Sequence, residues 1–229
     1  MRKMVLMLGL MVAAGTVAWG QTAIQQPDGQ GVYVVFGDVK PPKLVHVNAA
    51  TVPAGTALPE GKYICTLSMV VGADGIPTNI EVVEKRNSSL DDAAIEAIKS
   101  AQFEPATLKG KPVPVMTFAW VPFLDVDHPA VPLAGPLDKI PDMTAPKPLN
   151  HVDAEFSNEA RRKHHSGTVL ATMVVTETGG PADARTVVPA GFGLDEQALK
   201  AINKYRFSPS KLGGVPVPVL IVIEVNFKI

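Results

Sequence analysis

From Val215 to Ile229 every odd-numbered residue is apolar: Val215, Val217, Val219, Ile221, Ile223, Val225, Phe227 and Ile229. A two-residue period places all of them on one face of an extended strand. The even positions start apolar and turn polar, through Pro216, Pro218, Leu220, Val222, Glu224, Asn226 and Lys228. The pattern predicts one long closing strand with a single face committed to a core. The prolines add an orientation. In a strand the N–H and C=O of residues i and i+2 point to the same edge, so Pro216 and Pro218 remove donors from one edge only. The strand is therefore predicted at a sheet edge, paired along its odd residues. Its open edge offers the backbone of Leu220, Val222, Glu224, Asn226 and Lys228. An open edge is either an aggregation hazard or a docking site for another strand.

The same pattern occurs twice. Leu90-Asp91-Asp92-Ala93-Ala94-Ile95-Glu96-Ala97-Ile98 returns 104 residues later as Leu194-Asp195-Glu196-Gln197-Ala198-Leu199-Lys200-Ala201-Ile202. The offset holds without a gap through Phe103/Phe207, Pro105/Pro209, Gly110/Gly214, Pro112/Pro216, Pro114/Pro218 and Phe123/Phe227, and upstream through Gly75/Gly179 and Met69/Met173. One inserted residue extends it to His46/His151. So many anchors in register make the chain two copies of one module.

Each module reads strand, turn, strand, helix, turn, strand. In the second copy Thr168 to Thr176 is β-rich, Glu177-Thr178-Gly179-Gly180 is a turn, and Ala184 to Val188 is a short strand. Leu194, Ala198, Ala201, Ile202 and Tyr205 form a helical stripe, with acids at its start and Lys204 and Arg206 at its end. The simplest packing is an α+β fold: two tandem two-layer domains, each a three-stranded antiparallel sheet with a helix on one face. An additional helix, Asn158 to His164 with Ser157 as N-cap, precedes the second copy. Thr51 to Gly61 takes its place in the first copy and is predicted non-helical. Seven prolines between Pro122 and Asn150 mark an extended spacer. The divisions are 1–20, 21–39 (linker, or a short strand at Val32 to Phe36), 40–124 (first module), 125–145 (spacer) and 146–229 (second module).

Composition narrows the function. A formal net charge of −1 gives no footprint for nucleic acid. Cys65 is the single cysteine, so no intramolecular disulfide forms, and its apolar surroundings mark it as a small buried hydrophobe. Arg2 and Lys3 precede an uncharged apolar run, and Ala18-Trp19-Gly20 has small residues where a signal peptidase reads. Residues 1–20 are read as an export signal, with an uncleaved inner-membrane anchor as the alternative, and the chain is expected in the periplasm.

No catalytic residue, cofactor or metal ligand is predicted. His164-His165 are adjacent, so they point apart, and a helix-end role explains them better than metal binding. Asp91-Asp92 and Asp195-Glu196 are explained as first-turn helix acids. Gly179-Gly180 leads into a strand, which excludes a phosphate loop. Arg161-Arg162-Lys163 is read as a solvated helix face.

The second module resembles the C-terminal domain of TonB energy transducers. The resemblance rests on Phe156-Ser157-Asn158-Glu159-Ala160-Arg161-Arg162, Gly167-Thr168-Val169, Gly179-Gly180, Leu194-Asp195-Glu196-Gln197-Ala198-Leu199, Tyr205-Arg206-Phe207-Ser208-Pro209, Gly214-Val215-Pro216-Val217 and Val225-Asn226-Phe227. The first module is similar but degenerate. The resemblance implies a non-enzymatic periplasmic protein whose closing strand accepts an extended peptide from an outer-membrane transporter by strand addition. It further implies a link to a proton-driven inner-membrane motor, here through another subunit. The alternative is a structural or assembly module of the envelope that self-associates through strand edges, as a homodimer or within the chain. In the first copy Pro112, Pro114 and Pro122 lie on one edge and leave only Met116, Phe118 and Trp120 as donors. Docking is therefore expected on the second copy.

Overall fold

The computed structural model of the protein describes residues 31–58, 63–85, 87–123 and 130–228. Residues 1–20, read above as an export signal, lie outside them. No helix among the described residues is long and apolar enough to cross a membrane. Two compact units divide the chain, Gly29–Pro141 and Asp142–Ile229.

The first unit contains, in chain order, β1 (Tyr33–Val34), β2 (Val39–Lys40), β3 (Lys43–His46), β4 (Tyr63–Val71), β5 (Pro77–Val82), α1 (Ser88–Lys99), β6 (Gln102–Glu104), β7 (Thr107–Leu108), β8 (Lys111–Pro112), β9 (Val115–Phe123) and β10 (Leu133–Ala134). Its central sheet runs β5-β4-β9, with β4 and β9 antiparallel from Tyr63↔Phe123 to Val71↔Val115. Helix α1 starts where Asn87 accepts the N–H of Leu90, and it stops at Ser100, whose N–H reaches the carbonyls of Ala97 and Ile98. Its buried stripe is Leu90, Ala94, Ala97 and Ile98. That stripe packs on the odd residues Cys65, Leu67, Met69, Val71, Val115, Ala119, Val121 and Phe123. Each large apolar side chain so buried contributes about 1.5–3 kcal/mol.

The second unit contains β11 (Met143–Thr144), β12 (Lys147–Pro148), α2 (Asn158–Lys163), β13 (Gly167–Val175), β14 (Pro181–Val188), α3 (Leu194–Ile202), β15 (Phe207–Ser208), β16 (Ser210–Leu212), β17 (Val215–Val217) and β18 (Val219–Phe227). Its sheet runs β14-β13-β18, with β13 and β18 paired from Gly167↔Phe227 to Val175↔Val219. Both strands keep the first unit's register, moved by the 104-residue offset. Helix α3 buries Leu194, Ala198, Ala201 and Ile202 and lies against β13 and β14. Ser157 caps α2 by accepting the N–H of Ala160, and His164 ends it in the left-handed conformation. This is the α+β fold that the repeat predicts.

Four details differ from the sequence reading. The closing strand is broken at Pro218: β17 turns back to pair with β16, Leu212↔Val215 to Ser210↔Val217, and only β18 joins the main sheet. Proline supplies no N–H, so the ladder can change partner there without losing a hydrogen bond. Val215 is consequently only half-buried. Helix α3 ends at Ile202, and Tyr205 is buried beyond it. The proline-rich stretch is not bare spacer, because β10 pairs with β9, β11 with β16 and β12 with β15. Polyproline-like and β conformations overlap, so such a stretch can add short edge strands. Asp91 is more than a first-turn acid. It is buried, and its Oδ1 accepts from the Tyr63 hydroxyl at 2.5 Å and the Cys65 thiol at 3.3 Å.

Candidate docking site

Strand β18 lies at the end of its sheet, and among the described residues no strand pairs with its outer edge. Which residues face outward follows from the other module. There Tyr33 donates its N–H to the Pro114 carbonyl at 2.9 Å from the side of β9 away from β4. Residues i and i+2 present their backbone groups to the same edge. Even residues of β9 therefore face outward, and the common register carries this parity to β18. Pro122 agrees with it, since it sits opposite Ile64 in an unbroken ladder.

Leu220, Val222, Glu224 and Asn226 thus turn their N–H and C=O groups outward, while the odd residues bond to β13. These four of the five residues predicted from sequence fall within β18. Lys228 does not: the ladder ends at Phe227, and Lys228 lies beyond it, exposed. The strand's nine residues span about 30 Å at 3.3 Å each. The edge is therefore long enough for a partner strand of ordinary length.

The side chains along the edge alternate with strict regularity. Val219, Ile221, Ile223, Val225 and Phe227 are buried, and Leu220, Val222, Glu224 and Asn226 are half-buried. The far end is held by a polar chain. Thr168 Oγ1 donates to Asn226 Oδ1 at 2.6 Å, and Asn226 Nδ2 donates to Glu224 Oε1 at 2.8 Å. Phe156 meets Phe227 edge to face at 5.4 Å between centroids. The half-buried lip is apolar at Leu220 and Val222 and acidic at Glu224.

The histidines serve structure. The His165 ring lies 4.2 Å from that of Phe192, and its Nε2 is 3.1 Å from the Ala190 carbonyl oxygen. Backbone N–H groups of His164 and His165 reach the carbonyls of Arg161 and Ala160 at the end of α2. Ser157 also donates to the Phe192 carbonyl, tying α2 to the loop before α3. Asp195 accepts the N–H groups of Ala190 and Gly191 at 2.8 and 3.0 Å, so it closes that loop as well as starting the helix. Among the described residues no group of three histidine, cysteine or acidic side chains is placed to hold a metal ion.

Sheet order, register and closing edge together define a module that other proteins share. The family model described as "Gram-negative bacterial TonB protein C-terminal" matches residues 63–122 and 153–229, one stretch in each unit, and the chain belongs to that family. Over 79 residues it is 33% identical to Protein TonB of Vibrio cholerae. The aligned part is 34% of this chain and 32% of that protein, so the chain spans about a third of the length of the relative it matches.

Proposed function

We propose that this is a non-enzymatic periplasmic protein whose second module binds an extended peptide by strand addition along the outer edge of β18. The outward backbone groups of Leu220, Val222, Glu224 and Asn226 supply the hydrogen bonds, with Lys228 as a charged flank. The alternating half-buried side chains set the register. Membership in the TonB C-terminal family favours the N-terminal segment of an outer-membrane transporter as the peptide. Coupling to a proton-driven inner-membrane motor would then run through another subunit. The observation that carries the proposal is the contrast between modules: the edge that β1 and β10 fill on β9 has no strand on β18 among the described residues.

Titration of the full chain with synthetic peptides from transporter N-termini tests it. Val222→Pro removes one outward donor and leaves the β13 ladder untouched. Binding lost in that variant supports strand addition at this edge. Binding of equal strength in the variant, or no binding of any such peptide, overturns it. A homodimer that Val222→Pro dissociates would assign the edge to self-association in an envelope assembly instead.

A further inference from the structure

An open cavity of about 310 Å³ lies in the second unit, where the turn after β13 meets the end of α3. Its walls are Thr178, Gly180, Pro181, Asn203 and Arg206, with no acid among them. Arg206 commits one donor to the fold, Nη1 reaching the Tyr205 carbonyl at 2.7 Å. Among the described residues no carboxylate pairs with its guanidinium, and nothing bonds the Asn203 carboxamide. The end of α3 does not compete for these donors. The carbonyls of Leu199, Ala201 and Ile202 already accept the N–H groups of Asn203, Lys204 and Tyr205. Thr176 Oγ1 donates to the Gly180 carbonyl and accepts the Gly180 N–H, both at 3.1 Å, so the turn is held without Thr178. The Thr178 hydroxyl, 3.0 Å from Thr176 Oγ1, can turn to a ligand.

We propose that this cavity binds a carboxylate, with Arg206 as a planar two-donor fork and Asn203 and Thr178 as flanking neutral donors. The first module supplies the contrast. The 104-residue offset puts Asp74, Ile76, Pro77, Lys99 and Gln102 in the five places. There the chain provides its own acid, Asp74 Oδ1 accepting the Ile76 N–H at 3.0 Å, and Lys99 is paired with Glu96 at 2.6 Å. The second module has neither the acid nor the pairing, and it has arginine in place of glutamine. A cation that only closed a helix would need no hollow with two further donors and no counter-charge. One cation and two neutral donors match a singly charged planar group better than a phosphate, whose second charge they leave unmet. The volume is at the small end of ligand sites and suits a carboxylate on a short apolar stem. A free short-chain acid and a glutamate side chain both present that chemistry. This proposal is independent of what binds β18.

NMR titration of the full chain tests it, with butyrate and a capped Ala-Glu-Ala peptide as probes and capped Ala-Gln-Ala as the uncharged control. The Arg206 Nε–H, the Asn203 side-chain amide and the Gly180 N–H should shift together and saturate on the order of millimolar. The glutamine peptide should leave them in place. Tighter binding of the glutamate peptide than of butyrate assigns the site to acidic peptides, and equal binding assigns it to free carboxylates. Arg206→Gln installs the first module's residue and should weaken binding about tenfold or more. Thr178→Asp does the same at the other wall, setting a carboxylate beside Arg206 without removing a donor from it, and should block the site to a similar degree. Equal shifts with the glutamine peptide, tighter binding of inorganic phosphate than of either carboxylate, no saturation with any probe, or undiminished binding in the variants overturns the proposal. Should Arg206→Gln disturb the amides of β13 and β18, Thr178→Asp alone is read by the same criterion.

Discussion

Gly179 and Phe207 meet backbone to backbone. Phe207 donates its N–H to the Gly179 carbonyl at 2.9 Å, and a Cβ on Gly179 would lie 1.9 Å from the Phe207 carbonyl oxygen. Gly179 also holds φ at +79°, where side chains are strained. Gly75 and Phe103 repeat the contact in the first module, with φ +81° and 2.0 Å. The turn after the first long strand is thus pinned to the short strand that comes after the helix, β15 in one module and β6 in the other. Gly179→Ala should cost about 2–4 kcal/mol, because both the dihedral and the close approach are lost. The neighbouring Gly180→Ala should stay within about 0.5 kcal/mol, since its nearest atom would be 3.5 Å away. Chemical denaturation of the two variants checks the contrast.

The sequence made this turn visible because two glycines 104 residues apart share a context, and only a repeat gives a single chain that kind of comparison. The strands β4, β9, β13 and β18 were legible for a related reason: each is nine residues long and alternates. Two-residue strands carry no period, so β10 could not be read and β1 entered only as the alternative to a linker at Val32 to Phe36; the closing of the first edge was not legible at all. The outward parity of Leu220, Val222, Glu224 and Asn226 came from prolines, which act locally. The break at Pro218 did not, because it depends on Leu212 waiting across the chain for Val215. Lys228 fitted the alternation but lies past Phe227, the last residue paired with β13 among the described residues.

The buried polar contact of the first module has no counterpart in the second, where Gly167 and Val169 stand in the places of Tyr63 and Cys65. Asp91→Ala takes the acceptor away from the Tyr63 hydroxyl and the Cys65 thiol in a site closed to water. It should cost about 1–3 kcal/mol, the range for taking the acceptor from a buried donor. Cys65→Val keeps the volume and gives up only a weak donor, so its cost should be under about 1.5 kcal/mol. Thermal unfolding of both variants, followed at a probe in the first module, separates a hydrogen-bonded acid from a merely tolerated one.

Tyr205 should give the second module an alkaline limit. Burial raises its pKa above the ordinary 10.0, and the Asp153 charge adds to this, while the neutral hydroxyl donates to the Val152 carbonyl at 3.2 Å. The sign follows from the neutral form being favoured in the folded state. Below pH 10 both folded and unfolded chains hold the phenol proton, and its contribution is fully present. As pH rises through the unfolded value, the unfolded chain releases its proton first. Stability is then lost until the raised folded pKa is passed. Tyr205→Phe should cost about 1 kcal/mol at neutral pH, for the hydrogen bond. It should also flatten the decline above pH 10, which urea midpoints measured across that range would reveal.

The parity of β18 makes neighbouring residues respond oppositely to the same substitution. Val222 faces its N–H away from β13, whereas Ile223 bonds into the ladder opposite Ala171. Proline at an outward position is already tolerated in this architecture, since Pro122 sits in β9 opposite Ile64 without interrupting the pairing. Val222→Pro should therefore cost only about 1–2 kcal/mol, mostly lost side-chain packing. Ile223→Pro removes a ladder bond and forces its ring against β13, at about 3 kcal/mol or more, and it also empties a core position. Equilibrium denaturation decides between them. Equal losses would mean that the strand is paired on both sides, and the larger loss at Val222→Pro would mean that the parity is reversed. A large loss confined to Ile223→Pro fixes the outer edge at Leu220, Val222, Glu224 and Asn226, before any partner is added.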